Sequence, residues 1–456
     1  MRGESVHLAS RIDEVFTRFI DHYLREDRCQ LVVNGDFIDF WNVDLPGDHE
    51  LSGEALAVRR LHAVLDAHPA VEDGLARFLA VGNSIVFVAG NHDAELLYPG
   101  VQRALAQRLM PNGVDAQASI TLTGMVRLTD IRPGRIRFVR WFLREEGGAW
   151  IEHGHQFDPA CRTPAHLSPT RSGRLVQTVA EVATRSFSNL MPEIAYDAPD
   201  RFSTMDYVRW AFARGLRFVL RVLLLYLRMV GRVLVLWAST GRVDKAGKAE
   251  HERRLRSVAD NAGLQMSTLD ALERMAPPPG AATVVGVLTI TSLDKLLAVL
   301  IPGTLAVGLG RLFSASALMC AAAGLTATAL AFAYMSRRPR KRHVAADMAA
   351  AAAQVGHVTG APLVVMGHSH HGTIERRGGV LYANSGSWID GLHLVVFRDE
   401  VTGALSHVEL RRWRNGGITR LGRAAIGADV TEQRYPTGEQ GSVKREAQPS
   451  TRATTG

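Results

Sequence analysis

Four apolar runs in this chain end alike, and that ending restricts the fold more than any other feature. Leu31 to Trp41 reads LVVNGDFIDFW, Ile85 to Asp93 reads IVFVAGNHD, Ala149 to Asp158 reads AWIEHGHQFD, and Pro362 to His371 reads PLVVMGHSHH. Each couples a short run of β-formers to a glycine beside Asp, Asn or His. Runs this apolar read as buried strands of an α/β domain, whose C-terminal lips are where open α/β sheets gather ligands. The glycines let the backbone turn without a Cβ clash, so side chains from separate strands can converge on one small volume.

Carboxylate, amide and imidazole at four matching strand ends make a metal-binding set, although a lone histidine is usually only a satisfied polar residue. Asp36 leads the set, and a second carboxylate, Asp39, follows it between aromatic residues. Mixed oxygen and nitrogen ligands without cysteine argue against a closed structural zinc site and leave Mn, Fe, Zn or Mg at a hydrolytic centre. His49, His62 and His68 end no strand and read as surface residues of a lid or helix. The three cysteines, Cys29, Cys161 and Cys320, are scattered and give no disulfide framework, as in a reducing compartment.

Taken in order, Gly35-Asp36-x-x-Asp39, Gly90-Asn91-His92-Asp93, His153-Gly154-His155 and Gly367-His368-Ser369-His370 resemble the motifs of the calcineurin-like metallophosphoesterases. The resemblance covers two blocks, 1–158 and 346–412, and within the family it is nearest to the UDP-2,3-diacylglucosamine hydrolases. It implies an αββα sandwich and a centre of two divalent metal ions. Asp36 would bridge the ions, Asn91, His153 and His368 would complete one site, and His370 would belong to the other. His92 would donate a proton or hydrogen bond to the phosphoester, oriented by Asp39. His155 is a less certain ligand than His153. Asn384-Ser385-Gly386-Ser387-Trp388 also resembles a family loop close to the site.

Two departures qualify what the resemblance implies. The family opens on a strand ending Asp-x-His, which supplies ligands to the site His370 shares. Here Ser10 to Asp27 already reads as the first helix, capped by Ser10, so the expectation is a start inside a longer reading frame, with a half-built site as the alternative. His92 stands where the diacylglucosamine hydrolases usually carry Arg. The broader expectation is therefore a lipid phosphate or pyrophosphate.

At 456 residues and 46% hydrophobic, the chain has room for an α/β domain of about 260 residues and a further unit. The domain's first part is 1–158, with helical tendency over 44–80, a helix at 101–109, a Pro111-Asn112-Gly113 turn and strands over Ile136 to Phe142 and Ala149 to Glu152. Its second part is 346–430, with an alanine-rich helix, a strand at 362–366 leading to the His368 motif, and short strands at 380–384, 391–397 and 406–412 as the outer part of a second sheet. Residues 431–456 read as a disordered tail.

The intervening 159–345 reads as a helical, membrane-associated insertion. In the amphipathic helix 214–237, Arg214, Arg217, Arg221, Arg228 and Arg232 share one face and Leu, Val, Phe and Trp fill the other, as in a helix lying in a membrane interface. A helix over 248–274 follows. Leu312 to Met335 holds 24 residues without a charge, enough to cross about 30 Å of hydrocarbon. The basic run from Arg337 to Arg342 places that end in the cytoplasm. Thr283 to Gly308 is also long enough, with Asp294 and Lys295 near its middle and a Pro302-Gly303 kink. Site residues lie on both sides of the insertion, so crossings must be even. The expectation is a transmembrane hairpin over about 283–335, turning near Arg311.

These features point to a membrane-anchored hydrolase at the cytoplasmic face of the inner membrane. Its substrate would be a phosphorylated or pyrophosphate-containing lipid or nucleotide sugar. The alternative from another class is a non-catalytic membrane adaptor with an incomplete metal site. A net charge of +8 raises the question of a nuclease. The basic residues, however, sit beside apolar helices rather than in an aromatic-interleaved groove, which favours membrane lipid over nucleic acid.

Overall fold

The computed structural model describes residues 3–24, 29–110, 136–145, 148–191, 193–194, 204–240, 243–312, 316–337, 344–399 and 401–427. The 111–113 turn, most of the basic run after Arg337 and the tail from 431 lie outside them. The protein is mixed α/β. Three parallel strands, β1 (Gln30–Asn34), β2 (Ser84–Val88) and β3 (Ile136–Val139), form one sheet in that order. Next come β4 (Phe142–Arg144) and β5 (Ala149–Glu152), a small hairpin of β6 (Thr170–Arg171) and β7 (Arg174–Leu175), and then β8 (Leu363–Met366), β9 (Thr373–Arg377) and β10 (Val380–Asn384). The second sheet has the order β4-β5-β8-β10-β9.

Because successive side chains of a strand point to opposite faces, each buried strand feeds two cores. In β2, Ile85 and Phe87 join the cluster built on α1 (Gly3–Tyr23), α2 (Gly53–Ala67), α3 (Pro69–Ala80) and α4 (Pro99–Leu109). Val86 and Val88 face the other way, into a cluster with Ile151, Leu363, Val365, Leu381 and Ala383 of the second sheet. The alternate residues Trp150, Val364, Met366 and Tyr382 pack on its outer side against helices. The two sheets therefore meet face to face, each with helices on its far side.

The helices on the second sheet's outer side come partly from the stretch read as an insertion. After α5 (Val179–Ser186), α6 (Thr204–Phe212) and α7 (Leu216–Val235), the chain forms α8 (Lys245–Ala262) and α9 (Met266–Met275). Leu255, Val258 and Ala259 of α8 and Leu269 and Leu272 of α9 lie in the same cluster as Trp150 and Met366. The expected single helix over 248–274 is thus two, broken at Gly263, whose φ of +59° ends α8 in a left-handed cap.

The apolar stretch that follows is segmented differently from the expectation. A short helix, α10 (Val284–Ile290), buries Val287 against α5 and α7, and Ser292 at φ +58° separates it from α11 (Leu293–Leu312). Asp294 and Lys295 therefore fall in the first turn of α11, not in mid-span. At about 1.5 Å per residue its 20 residues reach about 30 Å, and it is long and apolar enough to cross a membrane by length and composition. α12 (Ala317–Arg337) returns antiparallel. Gly303 faces Gly324 and Thr328, and Gly310 faces Cys320, so small residues set the contact. The chain reverses between Leu312 and Ala317, close to Arg311 as expected.

α13 (Val344–Thr359) leads back into β8. Three further strands, β11 (Leu392–Arg398), β12 (Leu405–Arg414) and β13 (Gly417–Ala425), form a separate antiparallel sheet rather than the outer part of the second one. At the other end, α1 begins at Gly3, so Ser10 lies inside the helix and does not cap it. The strand expected over Ile136 to Phe142 is interrupted at Arg140 and Trp141, which hands the chain from one sheet to the other.

Trp150 shows what this packing is worth. It is fully buried, stacked on Phe142 at 3.8 Å between ring centroids, and its Nε1 donates to Glu152 Oε1 at 3.0 Å. Trp150→Ala should cost about 3–5 kcal/mol of unfolding free energy, read from the urea midpoint at unchanged m-value.

Candidate metal centre

β1, β2, β5 and β8 end side by side, as the sequence pattern requires, and glycine makes the approach possible. A Cβ on Gly35 would lie 2.2 Å from His153 Nδ1 and 2.9 Å from Gly90 Cα, and one on Gly90 would lie 2.3 Å from Asp36 Oδ1. Asp36 follows at φ +57°, a left-handed conformation that Asp tolerates better than most residues. Its Oδ1 accepts from the backbone N–H of His92 at 2.9 Å.

Asp93 staples the first two turns together. It is fully buried, with Oδ1 accepting from Gly90 N at 2.7 Å and Oδ2 from Phe37 N at 2.8 Å. Burial, and after it the charge of Asp36, pushes its carboxyl up to about 6. Burial acts upward on Asp36 too. There the contrary pull of His153, followed by His92 and His368, wins and holds the carboxyl well below the ordinary range.

His153 is the centre of the constellation. Its Nδ1 donates to the Asn34 carbonyl at 2.7 Å, which leaves Nε2 facing Asp36 Oδ2 at 3.1 Å and Asn91 Oδ1 at 3.1 Å. With Nδ1 carrying the proton of a neutral imidazole, three lone pairs point into one volume. That volume calls for positive charge, either a second proton on the ring or a cation. Burial lowers the imidazole's affinity for that proton, but Asp36 outweighs it and the shift is upward. Asp36, His153 and His368 bring ligand atoms within 4.8 Å of one another. With the Asn91 oxygen beside them, this hard, mixed oxygen and nitrogen set suits a divalent cation.

His92 stands beside this group rather than in it. Its Nδ1 pairs with Asp39 Oδ1 at 2.9 Å, and its ring stacks on Trp41 at 3.9 Å between centroids. Burial works against protonation of the ring, while the Asp39 hydrogen bond and the Asp36 charge raise its affinity for a proton, and the net shift is upward. The loop that carries Asp39 and Trp41 is held from outside. Arg185 of α5 donates to the Phe40 carbonyl and Asn189 to the Trp41 carbonyl, each at 3.0 Å.

Of the residues singled out from sequence, Asp36, Asn91, His153 and His368 converge, and Asp39 and His92 pair beside them. His370 does not join. It shares the turn of His368, at φ +55°, but belongs to no close group of His, Cys, Asp and Glu ligand atoms among the described residues. His155 lies alongside, its ring 5.4 Å from that of His153, with Nδ1 buried and unpartnered. Burial, then His153 and His368, push its imidazole well below the usual range.

No family model, curated protein or solved structure matches this chain. The centre is therefore argued from its own geometry. Sequence reasoning passed over Asp93 and Asp158, both carboxylates within the quoted strand-end runs. The signal for Asp93 was its place three residues after Gly90, where a side chain can cap the turn it follows. Asn384 was quoted only as part of a loop. Its Nδ2 donates to the Gly367 carbonyl at 2.7 Å and so braces the His368 turn.

Glu95, in the turn after Asp93, gives the region a pH dependence. Its Oε2 is buried, and burial, followed by the charge of Glu181, pushes its carboxyl up to about 8. A carboxyl raised above its unfolded value holds its proton better in the native state, so its contribution to stability falls as pH rises from about 4.5 through about 8. Glu95→Gln should match wild type in thermal unfolding at about pH 4 and exceed it above about pH 8. Parallel curves across that range would show that Glu95 titrates normally.

Proposed function

We propose that this chain is a metal-dependent hydrolase of phosphoester or pyrophosphate bonds, built on the αββα sandwich of the calcineurin-like metallophosphoesterases. The observation that carries the reading is His153 Nε2 directed at Asp36 and Asn91 oxygens while Nδ1 is committed to a backbone carbonyl. Asp36, Asn91, His153 and His368 would hold the cation. When bound, a divalent ion there supplies Lewis-acid polarisation of a phosphoryl oxygen.

The remaining work falls to His92 and its neighbours. Asp39 accepts from Nδ1, so Nε2 is the nitrogen free to act, and the stacked Trp41 ring restricts how the imidazole can turn. As water adds to phosphorus and the ester P–O bond breaks, His92 delivers its Nε2 proton to the departing oxygen. The raised proton affinity of the ring favours that protonated form.

The proposed setting is the cytoplasmic face of a membrane, with a lipid-linked substrate. On α7, Leu216, Leu220, Leu223, Leu224 and Leu227 form an exposed ridge, while Met229, Val230 and Val233 turn inward. An apolar ridge flanked by arginines suits an anionic lipid interface. Not all five arginines are committed to that role. Arg221 donates to Glu193 and the Leu190 carbonyl, Arg232 donates to Ser186, and Arg214 covers the Trp210 ring. The α11–α12 hairpin adds exposed Leu305, Leu309, Leu318 and Leu325.

The decisive assay follows a soluble phosphodiester together with bound metal. Asp36→Asn should lose both turnover and metal. His92→Ala should lose about 10²- to 10⁴-fold in kcat with metal content unchanged. Undiminished turnover in Asp36→Asn would sink the metal-centre reading, and loss of metal from His92→Ala would reassign His92 as a ligand. For the lipid setting, the double substitution Leu220→Glu and Leu224→Glu should depress turnover of a vesicle-embedded ester while sparing the soluble one. Equal effects on both would remove the interface from the proposal.

A further inference from the structure

His368 reaches the centre through a turn in which its own backbone is left-handed, at φ +58°. The backbone places the ring but does not decide which nitrogen carries the proton. Asp158, 210 residues earlier in the chain, lies against that ring, with Oδ2 3.2 Å from His368 Nε2. Asp158 closes the short turn His155–Phe157 that follows β5. It is itself held in place. Oδ1 accepts from Ala160 N at 2.9 Å, and its backbone carbonyl accepts from Cys161 N at 3.0 Å and Arg162 N at 2.8 Å.

An ionised carboxylate can only accept, so the His368 proton sits on Nε2 and the lone pair on Nδ1. His153 is arranged in the opposite sense, with the Asn34 carbonyl taking Nδ1 and leaving Nε2. We infer that Asp158 is the positioning residue of the centre: it fixes the His368 tautomer so that His368 ligates through Nδ1 while His153 ligates through Nε2. The inference rests on the proposed cation seat of Asp36, Asn91, His153 and His368. A carboxylate behind a ligating imidazole orients the ring and raises its basicity, and losing such a partner weakens metal binding about 10- to 100-fold.

A competing use of the same residues is written into the geometry. Asp158, Cys161 and His368 also bring ligand atoms within 4.8 Å of one another, which would make a softer seat through the Cys161 thiolate. The hydrogen-bond distance between Asp158 and His368 favours positioning, and the two uses separate experimentally.

The test is metal affinity of the full-length protein, measured by competition of Zn²⁺ and Mn²⁺ against a chromogenic chelator, with thermal unfolding in excess chelator as the control. Asp158→Asn should bind about 10- to 100-fold more weakly than wild type, and Cys161→Ala should bind as wild type does. Wild-type affinity in Asp158→Asn overturns the inference and leaves the proposed function standing. An equal loss in Cys161→Ala overturns it in favour of the thiolate seat. A wild-type protein that binds neither ion overturns the proposed function, and the inference falls with it. Should Asp158→Asn unfold in chelator, the imidazole ¹⁵N shifts of His368 in folded, Zn²⁺-loaded wild type decide. Zinc on Nδ1 with a proton on Nε2 upholds the assignment, and zinc on Nε2 overturns it.

Discussion

The turns after β1 and β2 approach each other, and the His153 ring, more closely than any side chain but glycine allows. A Cβ on Gly35 would meet Gly90 Cα at 2.9 Å, and one on Gly90 would meet Gly35 Cα at 3.0 Å. This approach lets Asp36 and Asn91, from neighbouring strands of one sheet, share a volume with His153 from the other. It carries a backbone cost. Asp36, His368 and His370 all adopt left-handed conformations, at roughly 1–2 kcal/mol each for residues with a Cβ. Hydrogen bonds offset that cost locally: His92 N to Asp36, Gly90 N and Phe37 N to Asp93, and Asn384 to the Gly367 carbonyl. Strain gathered at one end of two sheets, rather than spread through them, is the pattern of functional sites.

The same closeness separates the acids by charge state. Asp36 and Asp93 are neighbours in the turns after β1 and β2, yet their carboxyls shift in opposite directions. Asp36 faces imidazoles and is held low, whereas Asp93 is pushed up to about 6 by burial and then by the charge of Asp36, against the downward pull of the Gly90 and Phe37 N–H groups. Two titratable groups whose environments drive them apart mark a division of labour. One stays a charged ligand candidate, and the other is a structural staple whose charge would repel the first. His92 completes the set, its Nδ1 tied to a separate acid, Asp39, while its ring still feels the charge of Asp36.

How much of this was legible in the sequence follows from the range of each signal. The strand ends were legible because β-period, glycine and ligand-type side chains lie within about ten residues of one another. The two-faced burial of β2, β8 and β10 was implicit in their unbroken apolar runs. The role of α8 and α9 was not, because amphipathicity says that a helix packs but not against what, and the partners of Leu255 on the outer face of the second sheet lie far from it in the chain, at Trp150 on one side and Met366 on the other. The break at Ser292 was hidden for a related reason: hydropathy is continuous across Thr283 to Gly308, and only Val287 packing against α5 and α7 shows that α10 belongs to the protein interior. Asp158 could be read as one more strand-end carboxylate, but its partner lies beyond any local pattern.

The inserted helices are therefore structurally joined to the centre they accompany. α7 packs on α5 through Val233, with Leu236 just beyond it, against Val179 and Val182, and Arg232 adds a hydrogen bond to Ser186. From the other side of α5, Arg185 and Asn189 hold the carbonyls of Phe40 and Trp41. Trp41 covers His92, and Asp39, one residue before Phe40, orients it. Among the described residues, α5 and the turn after it thus link a helix with an exposed leucine ridge to the loop beside His92. A surface that shifted α7 would have to move the loop that sets His92 or break the two side-chain bonds that hold it. The ligand candidates Asp36, Asn91 and His153 stand instead just past the ends of β1, β2 and β5, strands packed in the two sheets. His92 itself stands on the turn after β2, beside Asn91, and what the helical stretch reaches is the neighbouring Asp39–Trp41 loop that pairs with and stacks on its ring.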